Sequence, residues 1–352
     1  MISKYLLCLL GIILALPILG VTALAATLPT SISGIGYLLA CLLAVAGLIT
    51  APWIPKHHFL LTLAGLIAAL LIAISRILMG GLFSTSNLEM VTLPRGKETR
   101  WMSYILDEQD GLIFGEAFFH QIGGDSSTEH EGITSSLYSA YSEMKAAEGV
   151  VPSPVISTYL NLQQPSAFDV IMVGPKNNLH PETGVIFLHG FMGNVTSQCW
   201  EVAQAVSKYG AVTACPSTGW RGEWWQAEGQ SILKETFQYL RDRGVQKFYL
   251  GGFSNGGFGI SRMVSQVKNE NGLSGLFFID GIYDGVSIRN TGLPILIIQG
   301  ANDERMPAVM AREISVLIGN SATYVELNSD HFLIIKEPAS VQNAISSWLE
   351  DQ

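Results

Sequence analysis

The sequence predicts an α/β domain with a mostly parallel sheet, preceded by an all-α segment of membrane-spanning helices. Two observations predict it. The first ninety residues carry only four formal charges, Lys4, Lys56, Arg76 and Glu89, and hold three long apolar runs. From about residue 157 onward, short wholly apolar runs such as 184–188, 275–279 and 294–299 lead into turns rich in glycine, serine or aspartate. Such runs are the mark of strands covered on both faces.

The apolar runs cover about residues 5–26, 35–54 and 59–83. Each reaches the roughly 20 residues that a helix needs to cross a bilayer. Polar or proline-containing breaks at 27–33 and 55–58 separate them, and Pro17 is placed to kink the first. Residues 1–88 therefore read as a transmembrane anchor of about three helices. The first run also has the make-up of a signal peptide, with Lys4, an apolar core and Ala23-Leu24-Ala25 as a small-residue cleavage site. Its length and the apolar helices that follow favour retention. Lys4 and Lys56 orient the N-terminus inward, whereas Arg95, Lys97 and Arg100 pull the other way. The signal-like start tips the expectation to an extracytoplasmic domain. Arg76, inside the third run, is expected to snorkel to an interface.

Residues 89–156 read as a connector, with a loop at Gly124-Asp125-Ser126-Ser127-Thr128 and an amphipathic helix over 133–147. Leu137, Tyr141 and Met144 share one face of that helix. It is expected to lie over a site in place of a lid. The remaining residues, 157–352, form the α/β domain.

Beyond the first ninety residues the chain has 17 basic and 28 acidic residues, a net charge of about −11. That balance argues against nucleic acid or anionic headgroups as partners. Cys199 and Cys215 are expected to be two buried thiols, with a disulfide as the alternative outside the cytoplasm. No Cys and His spacing suggests a metal, and no glycine-rich phosphate loop follows a first strand, so no cofactor is expected. Asn194-Val195-Thr196 fits a glycosylation acceptor and is read as a chance match.

The chemistry gathers in the loops. Lys247-Phe248-Tyr249-Leu250 leads into Gly252-Phe253-Ser254-Asn255-Gly256 and a helix-like stretch, a strand, a sharp turn and a helix with serine at the apex. A turn that tight needs small neighbours and exposes the hydroxyl. Upstream, the strand 184–188 runs into His189-Gly190-Phe191-Met192-Gly193, whose backbone N–H groups can face an oxyanion. Downstream, the strand 294–299 ends in Gly300-Ala301-Asn302-Asp303, and the strand 323–327 is followed by Asn328-Ser329-Asp330-His331.

The order Ser, Asp, His, with a His-Gly turn before the serine, resembles the α/β-hydrolase superfamily over roughly residues 157–352. The resemblance implies the α/β-hydrolase fold, with Ser254 as nucleophile, His331 as general base and then acid, and Asp303 as the residue that orients the imidazole. The oxyanion hole would be the N–H groups of Asn255 and Phe191. The elbow is similar to those of carboxylesterases and acyl-protein thioesterases, while its Ser-Asn-Gly-Gly is also similar to prolyl-oligopeptidase-type peptidases. Ester or thioester cleavage is the first expectation. Amide cleavage and a catalytically silent binding module are the alternatives.

Other roles stay open for these residues. Asp303 also suits a helix N-cap ahead of Pro307, and Asp280, after the strand 275–279, competes with it as the acid. Of seven histidines, His189 belongs to the oxyanion turn and reads as structural. Trp220, Trp224 and Trp225 are expected near the site, as an acyl pocket or as loop packing. Only 14 residues or so, 280–293, separate the strands 275–279 and 294–299, which is too few for a cap. A small-molecule or lipid ester and the bilayer are the expected partners.

Overall fold

The computed structural model describes residues 2–54, 57–81, 86–95, 99–123, 127–174 and 181–352. Pro55, Lys56, Lys97, Gly124–Ser126 and His180 lie outside them. The chain divides into two compact units: Met1–Ser84 with Tyr104–His130, and Thr85–Ser103 with Glu131–Gln352.

The first unit holds α1 (Ile2–Ala25), α2 (Ile32–Thr50) and α3 (His58–Gly81). All three are long and apolar enough to cross a membrane. Small residues let α2 and α3 approach closely, since a Cβ on Gly65 would lie 2.5 Å from the Ala40 carbonyl oxygen. Helix α2 starts three residues before the expected position because Ser31 caps it, accepting from the Gly34 N–H at 3.0 Å.

Residues 104–130, expected in a connector, cluster with these helices instead. Asp110 of α4 (Glu108–Gln121) accepts from the Ser31 N–H at 2.8 Å and its hydroxyl at 2.5 Å. Arg76 donates to the carbonyls of Tyr104 at 2.9 Å and Leu106 at 3.1 Å and to Ser33 Oγ at 3.0 Å. Its charge is met by protein acceptors. A short α5 (Ser127–His130) follows.

The second unit is built on eight strands in the order β1-β2-β4-β3-β5-β6-β7-β8. They are β1 (Leu88–Leu93), β2 (Phe168–Val173), β3 (Thr183–Leu188), β4 (Val212–Pro216), β5 (Lys247–Phe253), β6 (Leu273–Ile279), β7 (Ile295–Gly300) and β8 (Ala322–Leu327). Only β2 runs against the others. The sheet thus begins at Leu88, well before residue 157, with β1 as an antiparallel edge beside β2.

Helices α6 (Ile133–Glu148), α7 (Val155–Tyr159), α8 (Thr196–Val206), α9 (Ala227–Asp242), α10 (Asn255–Val267), α11 (Gly285–Arg289), α12 (Ala308–Ile318), α13 (Leu333–Lys336) and α14 (Pro338–Glu350) complete the unit. Strand alternation divides the core. Ile186, Leu188, Phe248, Leu250 and Phe278 form one cluster with Phe237 of α9, Met263 of α10 and Ile314 of α12. On β5 and β6, Tyr249 and Phe277 face Trp348 of α14. Helix α6 buries Leu137, Tyr141 and Met144, as its periodicity predicts, but its main partners are α8 and α13. It backs the segment that follows His331 and does not cap the elbow.

Cys199 of α8 and Cys215 of β4 form a disulfide, not the two thiols expected. The pairing arises because α8 crosses β4, a tertiary contact invisible in a spacing of 16 residues.

Candidate active site

Strand β5 ends at Phe253 and α10 begins at Asn255, so a single residue, Ser254, makes the turn. It does so at φ 50°, a region that non-glycine residues avoid. The neighbouring glycines make this possible. A Cβ on Gly252 would lie 2.4 Å from the Gly256 carbonyl carbon, and one on Gly256 would lie 2.0 Å from the Leu188 carbonyl oxygen. Packing on every side holds the strained serine, as expected where a backbone conformation is over-determined. Its N–H donates to Ile279 at 3.0 Å and its carbonyl accepts from the Phe258 N–H at 2.9 Å.

Asp303 and His331 arrive from the loops after β7 and β8. Ser254 Oγ lies 2.9 Å from His331 Nε2, and His331 Nδ1 lies 2.8 Å from Asp303 Oδ2. A carboxylate accepts only, so Nδ1 carries the proton and leaves Nε2 to accept from the serine hydroxyl. Both Asp303 and His331 are buried, while Ser254 is partly exposed. Burial pushes the Asp303 carboxyl up, but the His331 hydrogen bond and charge, with the N–H groups of Met306 and Arg305, hold it below its ordinary range. Those two N–H groups each donate to Oδ1 at 2.8 Å. Asp303 thus faces the histidine and also ties the loop before α12.

Asp280, the competing acid, does not bond to His331. It sits fully buried at the end of β6 at φ 46°, with Oδ1 accepting from the Gly300 N–H at 2.8 Å. Donor atoms of Asp280, Asp303 and His331 lie within 4.8 Å of one another, close enough to hold a cation. A cation there would compete with the hydrogen bond that orients the imidazole.

The turn 189–193 faces the elbow, since a Cβ on Gly190 would lie 3.0 Å from the Ser254 Cβ. Asn255 is the first residue of α10, so its N–H has no intrahelical acceptor. The Phe191 N–H has no acceptor among the described residues. Met192 at φ 80° and Gly193 at φ 99° give the turn its shape. His189 anchors it: Nδ1 donates to the Gly190 carbonyl at 2.7 Å and Nε2 accepts from the Thr218 N–H at 3.2 Å. Burial pushes this imidazole down to about 4 against the Gly190 bond, so it is neutral near pH 7. That is the structural role expected.

The three tryptophans divide. Trp224 is fully buried and donates to the His189 carbonyl at 2.9 Å, and Trp225 packs on Phe258. Trp220 is partly exposed and meets Phe191 edge to face at 5.1 Å. Asn255 Nδ2 donates to the Arg221 carbonyl at 2.8 Å, tying the elbow to that loop. Asn194 is buried and spends its amide on Cys215 and Ser217, which agrees with reading its sequon as chance.

Sequence reasoning missed Tyr159, whose hydroxyl donates to the Met192 carbonyl at 3.2 Å, and Gln299, whose amide reaches Asp303 Oδ2 at 3.2 Å. A glutamine ending an otherwise apolar strand was the available signal for the second. For Tyr159 there was none.

No protein-family model and no curated protein matches the chain. Among solved structures it is similar to Est1E from Butyrivibrio proteoclasticus, at 16% identity and TM-score 0.43 over 53% of this chain and 94% of that one. It is similar to a thermophilic esterase from Thermogutta terrifontis, at 14% and 0.44 over 54% and 96%. A third is XC6422 from Xanthomonas campestris, an α/β serine hydrolase without lid, at 16% and 0.43 over 53% and 89%. Such identities assign no residue role and no substrate here. By its own strand order, single reversed strand and helices on both faces, the second unit has the α/β-hydrolase fold.

Proposed function

We propose that the chain is a membrane-anchored serine hydrolase that cleaves a carboxylic ester or thioester through an acyl-enzyme on Ser254. The observation that carries this reading is the unbroken hydrogen-bonded line from Ser254 through His331 to Asp303, ending at a strained elbow opposite two N–H groups. His331 removes the Ser254 proton as Oγ attacks the acyl carbon, then returns it to the leaving alcohol or thiol. Asp303 fixes the tautomer and stabilises the imidazolium. The N–H groups of Asn255 and Phe191 receive the negative oxygen of the tetrahedral intermediate. Water then repeats the sequence and releases the acid.

The three apolar helices anchor the enzyme in a bilayer, where a lipid or small-molecule ester is the substrate. The catalytic unit lies outside the cytoplasm. Its disulfide suits an oxidising compartment, in line with Lys4 and Lys56 keeping their ends of the anchor inside.

The test is labelling of the detergent-solubilised full chain with a fluorophosphonate probe. Wild type should label and Ser254→Ala should not. His331→Ala and Asp303→Asn should label slower by on the order of 10³-fold or more, whereas Asp280→Asn should label readily. Absent labelling of folded wild type would leave the silent-module reading. Faster turnover of peptide amides than of aryl esters would replace the esterase by a peptidase.

A further inference from the structure

The site contains two buried aspartates where the serine mechanism uses one. Asp280 has no measurable exposure, and its Oδ2 has no hydrogen-bond donor among the described residues. The charged and titratable groups around it are Asp303, His331 and Asp330. Asp330 is already paired with Lys336 at 2.5 Å. Among the described residues no lysine or arginine pairs with Asp280, while the Asp303 carboxylate comes within 4.8 Å of its own and pushes its carboxyl up. Two carboxylates this close in a buried site do not both ionise. The negative charge settles on Asp303, which has the imidazole and two backbone N–H groups. Asp280 has one backbone N–H.

Resting on the serine-hydrolase reading, we propose that Asp280 is a positioning residue that keeps its proton through neutral pH and donates its carboxyl O–H to Asp303. The orphan Oδ2 is then the donor oxygen, and the carboxylate that faces His331 is held from behind by a second acid. Burial and the Asp303 charge act in the same direction, pushing Asp280 well above the ordinary carboxyl range despite the Gly300 N–H. The backbone is arranged for this contact. Asp280 accepts the unfavourable φ of 46° while its N–H bonds Ile298 at 3.0 Å and its carboxyl bonds Gly300, two residues that flank Gln299 on β7. The next residue, Gly281, lies directly under the elbow, where a Cβ would be 2.5 Å from the Ser254 carbonyl oxygen. Asp280 thus joins the end of β6 to the loop that carries Asp303, one residue before the glycine that packs against the elbow.

The experiment compares full-length wild type, Asp280→Asn and Asp280→Ala in two readouts. In hydrolysis of a short aryl ester, Asp280→Asn retains an N–H for Asp303 and an acceptor for Gly300, so kcat/KM and the acid limb of its pH profile should stay near wild type. Asp280→Ala should lose about tenfold or more in kcat with little change in KM. An acid limb moved down by about one pH unit in Asp280→Asn would reveal the loss of a buried negative charge and overturn the proposal. So would full activity in Asp280→Ala.

The second readout is Tm against pH, which needs no activity. A proton held in the native state and released on unfolding makes wild type lose stability as pH rises above about 4. Asparagine has no such proton. The Tm of Asp280→Asn should therefore climb relative to wild type from pH 5 to pH 8. A constant gap would overturn the assignment. A widening gap in a protein that takes no fluorophosphonate would keep the proton on Asp280 and reject the hydrolase reading instead.

Discussion

Gly256 stands so close to Leu188 that a Cβ on it would lie 2.0 Å from the Leu188 carbonyl oxygen. The contact is backbone to backbone, between the first turn of α10 and the end of β3, and it sets how near the elbow comes to the turn 189–193. Gly256→Ala must push the two apart. We expect Gly256→Ala to abolish fluorophosphonate labelling and to lower Tm sharply. Gly115→Ala, within α4 where a Cβ meets nothing within 4 Å, should be neutral or stabilising by up to about 1 kcal/mol. Normal labelling of Gly256→Ala would mean that the elbow does not depend on this approach.

The strands that carry the site were legible because strands buried on both faces are written as uninterrupted apolar runs. Runs at 184–188, 275–279, 294–299 and 323–327 fall on β3, β6, β7 and β8 to within two residues. Strand β1 was not legible, since six residues on a sheet edge carry no such run and its pairing with β2 bridges some eighty residues. The extent of the first unit was hidden likewise. Asp107 and Asp110 look like ordinary cap residues until Asp110 is seen on Ser31 and Asp107 near Arg76 at 3.5 Å. The sequence named Ser254 and His331, and its resemblance put Asp303 before Asp280 as the acid. Residue spacing alone does not separate the two aspartates, because which one meets the histidine depends on the end geometry of β6 and β7.

The Cys199–Cys215 disulfide closes a short loop, with a sequence separation of 16 residues. A loop of that size corresponds to roughly 3 kcal/mol of stability in the chain-entropy picture. Cys199→Ser with Cys215→Ser should lower the stability of the catalytic unit by about that amount. Thiol-reactive labelling of the unfolded, unreduced protein should find Cys8 and Cys41 but neither of the pair. Four reactive thiols in protein taken directly from its native membrane would contradict both the bridge and the extracytoplasmic placement.

Glu201 of α8 is buried beside Gln342 of α14, whose amide donates to it at 2.5 Å. Burial, only partly offset by that bond and aided by nearby Glu143, pushes its carboxyl up to about 7. A raised carboxyl is protonated in the folded state while the unfolded chain releases the proton. The stability this provides is complete below about pH 4.5 and is lost as pH rises to about 7. Glu201→Gln can keep the Gln342 contact without the titration. It should be more stable than wild type at pH 8, by up to about 3 kcal/mol, and close to wild type at pH 5. A gap that does not change with pH would show that Glu201 is ionised in the fold.

Tyr159 reaches from α7 to the turn proposed to hold the oxyanion, where its hydroxyl donates to the carbonyl of Met192, the residue held at φ 80°. Met192 follows Phe191 directly, so this bond helps fix the peptide that aims the Phe191 N–H. Removing it leaves the turn folded, through His189 and Trp224, but less well placed for the transition state. Tyr159→Phe should lower kcat by about three- to tenfold, the worth of a single neutral hydrogen bond, with KM nearly constant because the ground-state carbonyl depends little on that donor. Thermal stability should change by less than about 1 kcal/mol, since the side chain is half exposed. If kcat were unchanged while KM rose, Tyr159 would be contacting substrate directly and the turn would owe its position to His189 alone.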